Sequence, residues 1–406
     1  MQSVNIDDVK PGMILATNLE QSGRMLLPAG SVLTSSNIAV FKRQGIEDIK
    51  ILTSEKIEPD EESIDRAFIY VRDYFMYVDH DHPAMIQMFD IAVYKTAVKL
   101  MEGWRLPTAE EQTVTGFEDM HDLFYRDEGS VEDVVDAELK LASFPDIFFK
   151  VKEAVADTQS SAQHIADVVG LDVGLSAQLL KLVNSPLYGF PSEISSLVRA
   201  VAMVGGSELC TLALGLSTVG YFRDIPPELI DMRSFWIHSL TCGVFSKIIA
   251  EQVQGVVPEE MFTAGLLHDV GRLILFKKMP CSAVQAMIYA RENFVPLCEA
   301  EDMVLGFNHT DVAKLMFEKW NFPQNLIDII SSHHSPKKSV KSKEAGIIQL
   351  ADNLALSVGI AEGGMYVLPG VEVGVWEQLG VDAERLTQIV TDYDYQIKEL
   401  FNTFFD

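Results

Sequence analysis

Thiols are scarce in this 406-residue chain. Its four cysteines, Cys210, Cys242, Cys281 and Cys298, show no CxxC spacing and sit in apolar helical contexts. No disulfide framework is expected, and the thiols read as reduced. Basic residues are also few. The 32 Lys and Arg stand against 59 Asp and Glu, a net charge of −27. Such a surface repels phosphate, which argues against wrapping DNA or RNA and against docking on an anionic membrane. Long apolar runs are missing too. The longest, 209–222, is broken by Gly215 and Gly220 and falls short of the ~20 residues a spanning helix needs. The opening MQSVNIDDVK has neither a basic n-region nor an apolar h-region, so the expectation is a soluble, cytoplasmic protein.

What is present suffices for a large core, since 48% of residues are hydrophobic and 9% aromatic. At ~150 residues per domain the length suggests two or three domains. The charge divides them. Residues 1–57 hold 6 basic and 6 acidic side chains, 58–140 hold 7 and 21, and 141–406 hold 19 and 32. The middle segment, at −14, therefore reads as a separate solvated unit. We expect a small β-rich module over 1–57, an acidic helical linker or bundle over 58–137, a long helical domain over 138–362, and a helical tail over 363–406.

The patterns behind this division differ in period. Before residue 53, short apolar runs are punctuated by Pro11-Gly12, Gly23 and Pro28-Ala29-Gly30, with one helix over Ser35 to Gln44 and a last strand around Ile49 to Leu52. From Glu58 the period becomes helical. Ile64, Phe68, Val71, Phe75 and Val78 share one stripe, and Met85, Val93, Ala97 and Leu100 another, joined by an Asp79 to Pro83 turn. Val114, Phe117, His121 and Phe124 mark a third amphipathic segment. These stripes suit either a narrow bundle face or a homodimer seam through 58–137.

Five of the nine histidines, His238, His268, His309, His333 and His334, lie within 97 residues, where random placement would put about two. Each falls on an apolar face. His238 shares a stripe with Cys242, Phe245 and Ile249. His268 and Asp269 lie on buried stripes of a helix read from Pro258 to Lys278. His309 precedes Val312, Ala313 and Met316, and His333-His334 extend the end of the next helix. Asp352 sits between Ile348 and Ala355. A buried carboxylate without a partner costs several kcal/mol, and a divalent cation removes that cost. Imidazoles with carboxylates and no thiolate suit Fe, Mn, Zn or Ni better than Ca or Mg. Seven ligands exceed one tetrahedral ion's need, so two metals bridged by Asp269 fit the count. Taken singly, each histidine could equally be a core residue bonded to a backbone carbonyl.

The lone His, then His268-Asp269, then the distal Asp352 resemble the H…HD…D signature of the HD superfamily of metal-dependent phosphohydrolases. The wider context resembles the HDOD domain, the HD-related output domain of bacterial signalling proteins. It is carried by Phe144-Pro145, Asn184-Ser185, AGLLHDVGRLIL over 264–275, Glu301 with Leu305-Gly306 and His309, Trp320, Pro323 and His333-His334. The resemblance implies a mainly α fold with an HD-like all-α core, preceded by the β-rich module and the acidic helices. His309, His333 and His334 resemble the second-metal ligands of HD-GYP phosphodiesterases, but no GYP tripeptide follows His334. Where those enzymes carry HDxGK, Arg272 follows Gly271, and arginine still binds phosphate. Residues 1–52 look like the module that often precedes HD-GYP domains.

The expectation is thus a bacterial signal-transduction protein acting through contacts with other signalling proteins. Its output domain would hold one or two divalent transition metals, Fe or Mn first and Zn or Ni as alternatives, on His238, His268, Asp269, His309, His333, His334 and Asp352. The alternative is a phosphohydrolase for a nucleotide or cyclic dinucleotide, with Asp269 bridging the metals and Arg272 steadying the phosphate. Its ligand would be a small phosphoester; no long nucleic acid and no membrane partner is expected. Asp79 to His82 is read as a turn. Gly205-Gly206-Ser207 is read as a helix break with Ser207 capping, and Asn184-Ser185-Pro186 as a helix end that packs on its neighbours.

Overall fold

Strands are confined to the first 51 residues among those described, because only there do turn residues interrupt the apolar pattern often enough to stop a helix. A computed structural model describes residues 2–9, 13, 15–21, 24–27, 33, 35–51, 58–108, 129–141, 150–151, 153–154, 157, 160–190, 192–222, 230–360 and 367–405. The readings made for Val114 to Phe124, including His121, and for Phe144-Pro145 fall outside them. The chain divides into two compact units, Met1–Glu58 with Phe149–Ala213 and Gln388–Asp406, and Pro59–Phe148 with Leu214–Thr387.

In the first unit β1 (Gln2–Asn5) pairs antiparallel with β4 (Asp48–Ile51), setting Val4 opposite Ile49, and β2 (Leu19–Gln21) pairs with β3 (Arg24–Leu27). Helix α1 (Ser35–Arg43) follows β3, and Gly45 ends its last turn at φ 73°. Leu15, Leu33, Phe41 and Ile49 form the centre of this small core. Three further helices carry side-chain caps or stops. They are α5 (Ala162–Val169) with Ser161, α6 (Val173–Val183) with Asp172, and α7 (Leu197–Val204) with Ser196. Asn184 donates to the Ile194 carbonyl and accepts from the Ile194 N–H. Its amide therefore pins the loop that follows α6. Helix α8 (Gly206–Tyr221) already begins at Gly206, so Ser207 lies inside it rather than capping it.

The second unit opens with the hairpin of α2 (Glu61–Tyr74) and α3 (Pro83–Met101). His82 caps α3 through Nδ1, which accepts from Ala84 N–H, and so is structural as read. Helix α4 (Val131–Leu141) follows. These helices do not stand apart from the histidine-bearing ones. Helix α3 packs on α16 (Ser342–Gly359), and α4 packs on α11 (Val270–Lys278) and α14 (His309–Lys319). Met85, Met88, Ala92 and Ala97 of α3 are buried, so these helices pack within the second compact unit instead of forming one of their own.

Around the histidines the order is α9 (Met232–Ala250), α10 (Pro258–Leu267), α11, α12 (Pro280–Asn293), α13 (Leu297–Leu305), α14, α15 (Gln324–Ile330), α16 and α17 (Val373–Leu379), with α18 (Arg385–Phe405) last. Helix α9 lies close against α10 and α16. A Cβ on Gly265 would come 2.8 Å from Gly243 Cα, so these two glycines let α9 and α10 touch along their backbones. Among the described residues no single helix is long and apolar enough to cross a membrane.

Candidate metal centre

Two local irregularities aim the ligands. The helix read from Pro258 to Lys278 is in fact two helices, broken at His268 and Asp269, with Asp269 at φ −99° and ψ 4°. Adjacent residues of an unbroken helix diverge by ~100°; the break turns both side chains toward one point. Likewise α15 stops at Ile330, and His333-His334 lie in the following turn rather than extending the helix. His333 Nδ1 lies 2.7 Å from the Ile330 carbonyl and Ser332 Oγ donates to the Asp328 carbonyl. Side chains thus take acceptors that a further helical turn would have used.

All seven predicted ligands converge, in two groups that share Asp269. In the first, His238 Nε2 is 3.1 Å and His268 Nε2 3.5 Å from Asp352 Oδ1, and they are 3.9 Å and 3.4 Å from Asp269 Oδ2. In the second, His309 Nε2 is 3.3 Å and His333 Nε2 4.0 Å from Asp269 Oδ1, with His334 Nε2 3.1 Å from His309 Nε2. Each group offers ligand atoms close enough for one ion. Oδ1 serves one group and Oδ2 the other, the arrangement a bridging carboxylate requires.

The far nitrogens are fixed. His268 Nδ1 donates to the Gly265 carbonyl and His333 Nδ1 to Ile330, both at 2.7 Å, while His309 Nδ1 donates to Glu301 Oε2 at 2.5 Å. Each such bond aims Nε2 inward, the orientation a metal ligand needs. His268 Nε2, His333 Nε2 and Asp269 Oδ1 are buried and have no hydrogen-bond partner. Orphaned atoms of this kind are costly unless a cation completes them. The donor set of five imidazoles and two carboxylates fits a divalent transition metal.

The electrostatics favour ligand roles for both carboxylates and for His333 and His334, while His268 is held as its cation and would lose a proton to bind a metal. Burial opposes the ionisation of Asp269, but Arg272, His268 and His309 outweigh it and hold its carboxyl well below the carboxylate range. Asp352 is likewise held down against burial by His238 and His268. Burial, reinforced by neighbouring imidazoles, pushes His333 down to about 3 and His334 well below its ordinary value, so both are neutral. His268 is raised well above the ordinary imidazole value, because Asp269 overcomes its desolvation. Burial pushes the Cys242 thiol up, so it stays protonated beside the site.

Two contacts beyond the ligands complete the picture. Arg272 Nη1 reaches Asp269 Oδ2 at 2.6 Å. Glu301, buried on α13, accepts both the backbone N–H and Nδ1–H of His309 and lies 4.0 Å from Arg272 Nε. Sequence reading gave Glu301 no role; its signal was an acid on an otherwise buried helix face, eight residues before His309.

Residues 141–336 match the HDOD domain family. An uncharacterized protein of Treponema pallidum is 23% identical over 208 residues, 51% of this chain and 39% of that protein. Ribonuclease Y of Mycoplasma mycoides is 28% identical over 156 residues, 35% of this chain and 25% of the relative. The chain thus spans well under half the length of these curated relatives. A solved HDOD protein of unknown function from Geobacter sulfurreducens is 24% identical, with a TM-score of 0.50 over 66% of this chain and 95% of that one. A Shewanella amazonensis protein provisionally named a phosphohydrolase is 22% identical, with a TM-score of 0.51 over 66% and 98%. These solved structures share the all-α fold. Residues 141–336 of this chain are therefore an HDOD domain.

Proposed function

We propose that this protein is a cytoplasmic signal-transduction protein whose HDOD domain holds one or two divalent metal ions and acts mainly through contacts with other proteins. The observation that carries the metal reading is the set of three buried, unpartnered atoms, His268 Nε2, His333 Nε2 and Asp269 Oδ1, facing one another inside seven convergent ligands. Access is narrow. His238 is 20% exposed, Arg272 10%, and Asp269 and His268 are sealed. A closed centre suits a domain that signals by its shape. Ile64, Phe68, Ile69 and Ile86 are exposed on α2 and α3, an apolar surface of the kind partners use.

Elemental analysis of the freshly purified chain tests the reading. One to two equivalents of Fe or Mn, or of Zn or Ni, are expected, falling in His268→Ala and Asp352→Ala. A chain that stays free of metal even after anaerobic addition of Fe(II) and Mn(II) would sink it.

A second reading, hydrolysis of a small phosphoester, is favoured by Arg272 beside an undiminished ligand set. A metal pair supplies Lewis acidity and lowers the pKa of water. The chain would supply Asp269 to join the two positions, Glu301 to hold the His309 tautomer, and the Arg272 guanidinium as a phosphate donor. Turnover of mono- or dinucleotide phosphoesters at ordinary rates, ~1 to 10³ s⁻¹, would replace the first reading with this one.

A further inference from the structure

We propose that Arg272 is an internal cation that competes with metal for Asp269 Oδ2, so that the His238, His268 and Asp352 position accepts an ion only as the guanidinium withdraws toward Glu301. The inference rests on the metal-binding reading above. The two oxygens of Asp269 are not equivalent. Oδ1, facing His309 and His333, has no hydrogen-bond partner, whereas Oδ2, facing His238 and His268, is already held by Arg272 Nη1 at 2.6 Å. Arg272 follows Asp269 by one turn of α11, and its side chain is nearly sealed from water. A buried guanidinium must lie against a carboxylate, and among the described residues Asp269 and Glu301 pair with it. Asp269 is in contact, and Glu301 Oε1 stands 4.0 Å from Arg272 Nε.

Two consequences follow. Without metal, the guanidinium neutralises a carboxylate that would otherwise be an uncompensated buried charge, so the domain folds in the metal-free state. With metal, an ion beside Oδ2 would meet a like charge and must displace it. This charge-assisted bond makes the position weaker than its ligands alone would make it, by about 10- to 100-fold.

The test is Mn(II) titration of the chelator-treated full chain, read by calorimetry and by the electron paramagnetic resonance signal of free Mn(II). Arg272→Met is expected to tighten one binding step by about 10- to 100-fold, and the tightened step should vanish when His238→Ala is added. Arg272→Lys, which keeps the charge but loses the planar fork, should tighten it less. Melting temperature gives an independent readout. Chelator should lower the melting temperature of Arg272→Met more than that of the wild type. If Arg272→Met does not fold without metal, Arg272→Lys carries the comparison. Wild-type or weaker Mn(II) affinity in the variants, or a tightened step that survives His238→Ala, overturns the proposal. Absence of Mn(II) binding in wild type and variants alike brings down the metal reading itself.

Discussion

Three imidazoles of the site, those of His268, His309 and His333, are set by what their Nδ1 touches. Glu301 is the clearest case, because one carboxylate oxygen takes both the N–H and the ring Nδ1–H of His309. Glu301→Gln keeps the shape and removes the charge. Metal affinity should fall about 10- to 100-fold with little change in far-ultraviolet circular dichroism, measured by competition with a chromogenic chelator. Gly271 acts through space instead. A Cβ there would lie 2.0 Å from the His309 carbonyl oxygen, so Gly271→Ala must part α11 from α14. The expected cost is about 1–3 kcal/mol in denaturant unfolding, together with weaker metal binding. The convergence of these seven side chains was legible from the sequence, since histidines and aspartates on apolar stripes demand an explanation. Glu301 and Gly271 were not, because their roles exist only against residues brought near by folding.

At the scale of elements, two helices ended where the sequence pattern continued. Apolar spacing carries no mark of the break at His268-Asp269, because the residues on either side are buried as they would be in an unbroken helix. Sequence also gave no sign of how α4 is anchored. Glu138, fully buried on α4, accepts from Lys277 Nζ and Tyr221 Oη at Oε1 and forms an ion pair with Lys278 through Oε2, and Asp136 pairs with Lys319 of α14. Burial raises the Glu138 carboxyl, but the two lysines and Tyr221 outweigh it and leave its pKa below the ordinary value. Tyr221, desolvated and bonded to Glu138, is pushed well above the ordinary phenol value. Because the folded pKa lies below the unfolded one, the stabilisation is complete above the unfolded value and is lost as pH falls through the folded value. Glu138→Gln should therefore cost about 3 kcal/mol near neutral pH. Its gap from wild type should shrink below about pH 4, in chemical denaturation across a pH series.

For the whole molecule, charge remains the governing quantity. A relative named ribonuclease Y raises the question of RNA, and a net −27 answers with an expectation. Binding of a single-stranded RNA at physiological salt should be weaker than the usual non-specific range of roughly 10⁻⁴ to 10⁻⁶ M. Fluorescence anisotropy checks it, and affinity inside that range, lost as salt rises, would contradict the expectation.

The sequence by itself determined the helical class, the small strand-bearing start and which seven histidines and aspartates were candidates to converge, because period, turn residues and the cost of buried charge are local facts. Only the tertiary structure decided how the ligands divide across Asp269, which oxygen Arg272 occupies, what Glu301 and Glu138 hold, and that the described acidic helices pack among the others. Each of these depends on the direction of side chains from separate helices meeting at one point. Direction is fixed by helix breaks and close backbone approaches that apolar patterning does not encode.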